Sequence, residues 1–151
     1  MNAKELFGHW AEVRSGLLQA LDKVADTQLG FVPREGLWSL GQVVFHIAGA
    51  EEGWFRYCVT HELKGWAEAN YQLADYPTVA ALKGLLAEVG SRTAAYFAND
   101  ADTLMEQPVV LPWGPTVRLG WVVWHVLEHE IHHRGEVYLM LGLMGMEAPD
   151  V

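Results

Sequence analysis

The segment "HEIHHRGEV", residues 129–137, places three imidazoles, a carboxylate and a guanidinium almost side by side. It lies inside the apolar run "WVVWHVLEHEIHHRGEVYLMLGLM". The chain has only seven His, yet His125, His129, His132 and His133 all fall here. Neutral imidazole is the commonest side-chain ligand for transition metals. The dense spacing therefore raises metal chemistry before any other.

On a helix of ~100° per residue, His125, His129, His132, His133 and Glu136 all lie within a wedge of ~100°. Side chains four apart on a helix have Cβ atoms ~6 Å apart. Two imidazoles at that distance can tilt onto one ion. The candidate pairs are His125 with His129 and His129 with His133. The alternative is a solvated polar stripe. The apolar neighbours Trp121, Leu139, Val126 and Val137, with Val122 and Met140 inside the wedge, argue for a stripe facing inward or into a cleft.

Two ligands hold an ion poorly, so a third is expected from elsewhere in the chain. His46, in "VVFHIAGA", is the remaining His at mid-helix in an apolar setting. His9 and His61 fall near helix ends and are expected at the surface. Three neutral imidazoles leave coordination positions open, the arrangement of a catalytic rather than a structural site.

The same residues satisfy H-E-x-x-H, the zinc-protease helix, in which Glu130 would act as general base. The pattern is short, and only a brief tail follows His133 to supply a downstream ligand. No set of strands suggests a substrate-aligning sheet. Peptidase activity is accordingly the weaker expectation.

The elements that must carry these residues read as helices. Leu6, Trp10, Val13, Leu17, Leu18, Leu21 and Val24 recur at helical spacing. After a loop containing Gly30, Pro33 and Gly36, Ser39 and Gln42 form a capping-box signature for a second helix. Its apolar face is Leu40, Val43, Val44, Ile47, Trp54, Tyr57 and Cys58. "KGWAEANYQLADYP" is irregular. Thr78 as N-cap, or Pro77 in the first turn, opens a third helix carrying Val79, Leu82, Leu85, Leu86, Val89 and Phe97. Two short β-branched runs flank "PWGP", predicting a tight turn or small hairpin. The last helix runs from about 117 to 143, with Gly145 as its stop and Pro149 beyond. The expected fold is all-α: a four-helix bundle with long connections and a small turn or hairpin before the last helix.

The chain's 151 residues fit one domain, residues 1–151. Ten Lys and Arg against 19 Asp and Glu give a net charge of −9, which opposes nucleic-acid binding. The lone Cys58 rules out an intrachain disulfide and suits a reducing compartment. The N-terminal stretch has no apolar run of signal-peptide length, and the C-terminal apolar run is about half of what a bilayer needs. A soluble cytoplasmic protein without membrane contact is expected. Seven Trp and five Met are read chiefly as core filling, with Trp54, Trp113 or Trp124 as candidate pocket walls. Arg134 is expected to pair with a carboxylate, of the protein or of a substrate.

"WSLGQVVFHIAGAEEGWF", followed later by "HVLEHEIHHRGEV", resembles the DinB-like (DinB/YfiT) family of metalloenzymes. The resemblance covers nearly the whole chain. Carried over residue by residue, it puts a metal triad on His46, His129 and His133, selecting His129 with His133 over His125 with His129. The family pattern usually has Gln after Arg-Gly, where this chain has Glu136. That carboxylate is expected to orient a ligand imidazole or to join the coordination sphere. The resemblance also implies a four-helix bundle, often a homodimer, binding a divalent ion such as zinc or nickel. It implies activity on a small-molecule substrate, with a transferase reaction on a low-molecular-weight thiol such as bacillithiol or mycothiol as the expected chemistry. An open divalent site suits that chemistry because it lowers a thiol's pKa. The alternatives are a metal-binding stress protein without turnover and a metal-assisted hydrolase with Glu130 or Glu136 as base.

Overall fold

The first four α-helices each start where a side chain caps them, whereas the last follows Arg118 without such a cap. In the computed structural model, which describes residues 2–66 and 71–151, helix α1 (Ala3–Leu21) begins at Asn2. The Asn2 side chain accepts from Glu5 N, and Glu5 bonds back to Asn2 N. Helix α2 (Leu40–Glu52) opens on the predicted capping box of Ser39 and Gln42. Helix α3 (Val79–Tyr96) is capped by Thr78, whose Oγ1 accepts from Ala81 N at 3.1 Å, so Pro77 lies outside it. A short helix α4 (Ala101–Met105), absent from the sequence reading, follows Asp100.

Strands β1 (Pro108–Val110) and β2 (Thr116–Arg118) pair antiparallel across the Pro-Trp-Gly-Pro turn, forming the hairpin expected there. Helix α5 (Leu119–Leu143) therefore begins two residues later than expected, because Val117 is paired with Val109. It ends at Gly145, which takes φ +78°, while Met146 N bonds Leu141 O at 2.9 Å.

The second helix departs from its predicted regularity. From Gly53 to Val59 it widens into a π-helix. At its start a Cβ on Gly53 would lie 2.8 Å from the Trp66 ring, so glycine lets that indole approach. His61, at φ +57°, then ends the run. Part of the stretch read as irregular, residues 67–70, lies outside the described residues.

Helix α5 packs against α1 and α2, and α3 packs against the same two helices. The consecutive helices α1 and α2 thus sit across the bundle diagonal. A link that must cross the bundle is long, which accounts for the connections read from the sequence. Among the described residues no helix is long and apolar enough to cross a membrane.

The interior divides into two apolar cores. One gathers Leu17, Leu21, Val44, Ile47, Leu85 and Leu141. The other gathers Trp10, Val13, Trp54, Phe97, Val122 and Leu127. Between them lies a charged layer of Arg14 from α1, Glu51 from α2 and Glu130 from α5. The candidate metal residues come from the same stretch of α2 and α5.

Candidate metal centre

His46 projects from α2 and His129 and His133 from α5, one helical turn apart. One ring nitrogen from each lies within 4.8 Å of the other two. The Nε2 atoms of His46 and His129 are 2.9 Å apart. At that separation one imidazole donates its proton to the other, or both lone pairs turn on a common cation. Ligands ~2.0–2.1 Å from a tetrahedral ion stand about 3.3–3.4 Å from one another. A few tenths of an ångström of side-chain motion brings the His46 and His129 nitrogens to that spacing, and with the His133 nitrogen within 4.8 Å of both, the three side chains have the chemistry and proximity to close on a divalent ion. The group holds three protein donors, and a fourth position stays open to another ligand.

Electrostatics favour the same occupant. Burial, reinforced by His133 and His46, holds the His129 imidazole well below its ordinary range, at about 3. Burial also lowers His133, although Glu136 opposes it. Both rings are therefore held as neutral imidazole, the form that binds metal.

Glu136 lies 2.7 Å from His133 Nδ1. It is therefore placed to orient the His133 imidazole, while Nδ1 is engaged and Nε2 is the ring's other nitrogen. Its other oxygen is 3.4 Å from Nε2 of the exposed His132. The wedge of histidines straddles the protein surface: His133 is buried, His129 and His125 half-buried, His132 exposed.

The structure does not bring Glu130 to this cluster. Glu130 is 1% exposed and faces α1. Its Oε1 accepts from Arg14 Nε at 2.5 Å and its Oε2 from Arg14 Nη2 at 2.8 Å and Trp10 Nε1 at 2.5 Å. Both oxygens are engaged, so the general-base role read from H-E-x-x-H has no geometric support. Arg14 also bonds Glu51 Oε2 at 2.7 Å and Leu86 O at 3.0 Å. Burial pushes the Glu51 carboxyl up, because one guanidinium must serve two carboxylates.

Other candidates are placed elsewhere. His125 stacks on Trp121, at 5.0 Å between rings, and meets Trp54 edge-on at 4.8 Å. Trp113 packs on Trp54 in the same aromatic group. Trp124 lines a different pocket, beside Leu6 and Met105. Arg134 makes no ion pair among the described residues; its guanidinium lies 5.4 Å over the Tyr138 ring. The pairing expected with a carboxylate of the protein is therefore not formed among the described residues. A Cβ on Gly16 would meet Tyr138 Oη at 2.6 Å, so α1 gives way there with a glycine. His9 and His61 are exposed, as expected.

Two residues escaped the sequence reading. Trp38, in the loop before α2, lies 4.6 Å from the His46 ring and 6.2 Å from that of His133. It is the indole that covers the triad, and it also lines a pocket of about 330 Å³ with Pro33, Leu37, Glu136 and Leu139. Its signal was its place just before the N-cap, where an apolar residue packs back on the helix. Arg14 was readable too: it falls on the apolar stripe between Val13 and Leu17, where a cation implies a buried partner.

Known proteins share this fold. YizA of Bacillus subtilis, which is uncharacterized, is 26% identical over 104 residues, or 68% of this chain. The matched region spans 62% of YizA. A DinB-like protein from Bacillus cereus superposes with a TM-score of 0.80 at 18% identity, covering 99% of this chain and 97% of that one. YfiT from Bacillus subtilis, described as a probable metal-dependent hydrolase with an unusual four-helix bundle topology, gives 0.67 at 26% identity, with 95% and 88% covered. A mycothiol-dependent maleylpyruvate isomerase gives 0.69 at 17% identity, with 91% of this chain and 61% of that one covered. Residues 9–137 match the DinB superfamily, and the chain therefore belongs to that family.

Proposed function

We propose that His46, His129 and His133 hold one divalent ion, zinc or nickel, and that the chain is a metal-dependent transferase acting on a low-molecular-weight thiol. The observation that carries this reading is the convergence of the three ring nitrogens within 4.8 Å, with no fourth protein donor in the group. An ion in such an open site lowers the pKa of a thiol or water molecule presented to it.

The chain's own residues do the rest. Glu136 fixes the tautomer and angle of His133. Trp38 shields His46 from bulk water on one side. The pocket of about 330 Å³ beside Trp38 and Glu136 receives the apolar part of a substrate. The thiol comes from outside, because Cys58 is fully buried and its pKa is pushed up to about 11. The mycothiol dependence of the isomerase with the same fold supports a thiol partner.

We place the protein in the cytoplasm as a homodimer that does not engage nucleic acid. The net charge of −9 supports the last point. The exposed apolar residues Trp121, Trp124, Leu139 and Leu143 on α5 support a partner subunit.

A hydrolase is the second reading, favoured by the likeness to YfiT. Against it, Glu130 is turned away from the triad and Glu136 is occupied by His133. The test is to purify the protein without a His tag, measure its metal, and incubate the loaded protein with bacillithiol, glutathione or mycothiol and a chromogenic electrophile. A rate above the free thiol's background, lost in His129→Ala, is expected. No rate with every thiol tried would favour sequestration of the metal without turnover, as in a metal-binding stress protein.

A further inference from the structure

We infer that His132, the Nδ1 edge of His133 and Glu136 form a second divalent-cation site, outside the triad and open to solvent. One donor atom from each lies within 4.8 Å of the other two. Glu136 is at the centre: Oε2 is 2.7 Å from His133 Nδ1 and Oε1 is 3.4 Å from His132 Nε2. The second distance matches the spacing of two ligands on one tetrahedral ion. The rings of His132 and His133 stand edge-on, 4.8 Å apart, so both can present an edge to one point.

The donor set decides the class of ion. Two imidazole nitrogens and one carboxylate oxygen select zinc or copper(II) over magnesium or calcium, which take oxygen ligands. His132 and Glu136 have 68% and 41% of their side chains exposed, so water completes the coordination. Fewer enclosing groups make this site weaker than the triad. Binding replaces the proton on His133 Nδ1, which leaves to solvent. With both sites filled, His133 is an imidazolate bridge, Nε2 towards the triad and Nδ1 towards the second ion. The second site's own donors are independent of His46 and His129, so it stands or falls separately from the triad.

The test uses the full chain in a His9→Ala background, which removes the two-donor pair of His9 and Glu12, 3.5 Å apart. Zinc bound at equilibrium is measured by dialysis and elemental analysis. The background protein is expected to retain two ions per chain and His132→Ala one. Because His132 is exposed, that variant folds, and circular dichroism verifies it. Equal zinc in His132→Ala and the background would overturn the proposal. If His46→Ala keeps all the zinc while His132→Ala loses one ion, the triad reading fails and this one stands. Copper(II) gives a second readout. At two equivalents the imidazolate couples the ions, so the spin resonance integrates to fewer than two spins, and His132→Ala gives one uncoupled spin. A full two-spin signal would overturn the shared His133.

Discussion

The Nε2 atoms of His46 and His129 meet at 2.9 Å, joining α2 to α5 at the edge of the charged layer between the two apolar cores. An ion that binds the folded state there and not the unfolded chain stabilises the fold by mass action. At free zinc one hundredfold above its dissociation constant, that is about 2.7 kcal/mol, or about 5–10 °C in melting temperature for a chain of this size. Most of this shift is expected to vanish in His46→Ala. Melts with and without zinc, recorded for both proteins, check it; an undiminished shift in the variant would mean that the triad is not the principal site.

Glu136 stands where the family resemblance implies Gln, and it lies 2.7 Å from His133 Nδ1. Loss of a partner that orients a ligand imidazole typically lowers metal affinity by about 10–100-fold. Glu136→Ala should fall in that range, read by competition with a chelating dye. Glu136→Gln should lose much less, since an amide oxygen still accepts from Nδ1–H. Equal losses in the two variants would show that charge, rather than orientation, is what Glu136 supplies.

The layer of Arg14, Glu51 and Glu130 is expected to matter for stability and not for the metal. Removing one partner of a buried ion pair leaves an uncompensated charge and costs about 3–5 kcal/mol. Arg14→Ala leaves two carboxylates, 2% and 1% exposed, without their guanidinium. A urea midpoint well below that of the wild type is the expected result. Glu130→Gln should retain full zinc affinity and any turnover. Loss of turnover in a well-folded, zinc-loaded Glu130→Gln protein would restore the base role that its geometry denies it.

The bundle was legible because its helices advertise themselves: Ser39, Thr78 and Gly145 cap or stop where the spacing of apolar residues begins or ends. The His46, His129 and His133 grouping was legible from helical spacing together with family resemblance. What stayed hidden depends on approach between distant segments. The π-helix after Glu52 begins where the Trp66 indole lies on Gly53, a contact that no local pattern encodes. Trp38 could be seen as a cap neighbour, but not as a cover for the triad. Glu130 misled because a five-residue motif ignores which neighbour the helix turns towards; Arg14, more than a hundred positions earlier, decides that.

Cys58 offers a simple check on where the thiol chemistry resides. Burial places its pKa at about 11 and its exposure is nil. The native protein should leave a thiol-specific chromogenic disulfide unreacted for hours and react promptly in denaturant. Cys58→Ala should retain the metal and any transferase rate. A rate abolished by that substitution in a folded protein would assign the nucleophile to the chain itself.

The acid behaviour of the metal-free protein follows from His129. Its folded pKa, about 3, lies below the ordinary 6.5, and that of His133 is lowered as well. Between those values the unfolded chain takes up a proton at His129 that the folded chain refuses. Unfolding free energy then falls as pH falls, starting near 6.5 and continuing towards 3, while above 6.5 neither state is protonated there and the full stability is present. Glu51 works in the opposite direction, since its raised pKa lets the folded state bind a proton more readily. Comparing a variant isolates the histidine. The urea midpoint of the metal-free wild type should drop between pH 7.5 and pH 5, and the drop should be smaller in His129→Gln, which has no imidazole to protonate on unfolding. An identical drop in the two proteins would mean that His129 is not held neutral by the fold, and the explanation of its readiness for metal would go with it.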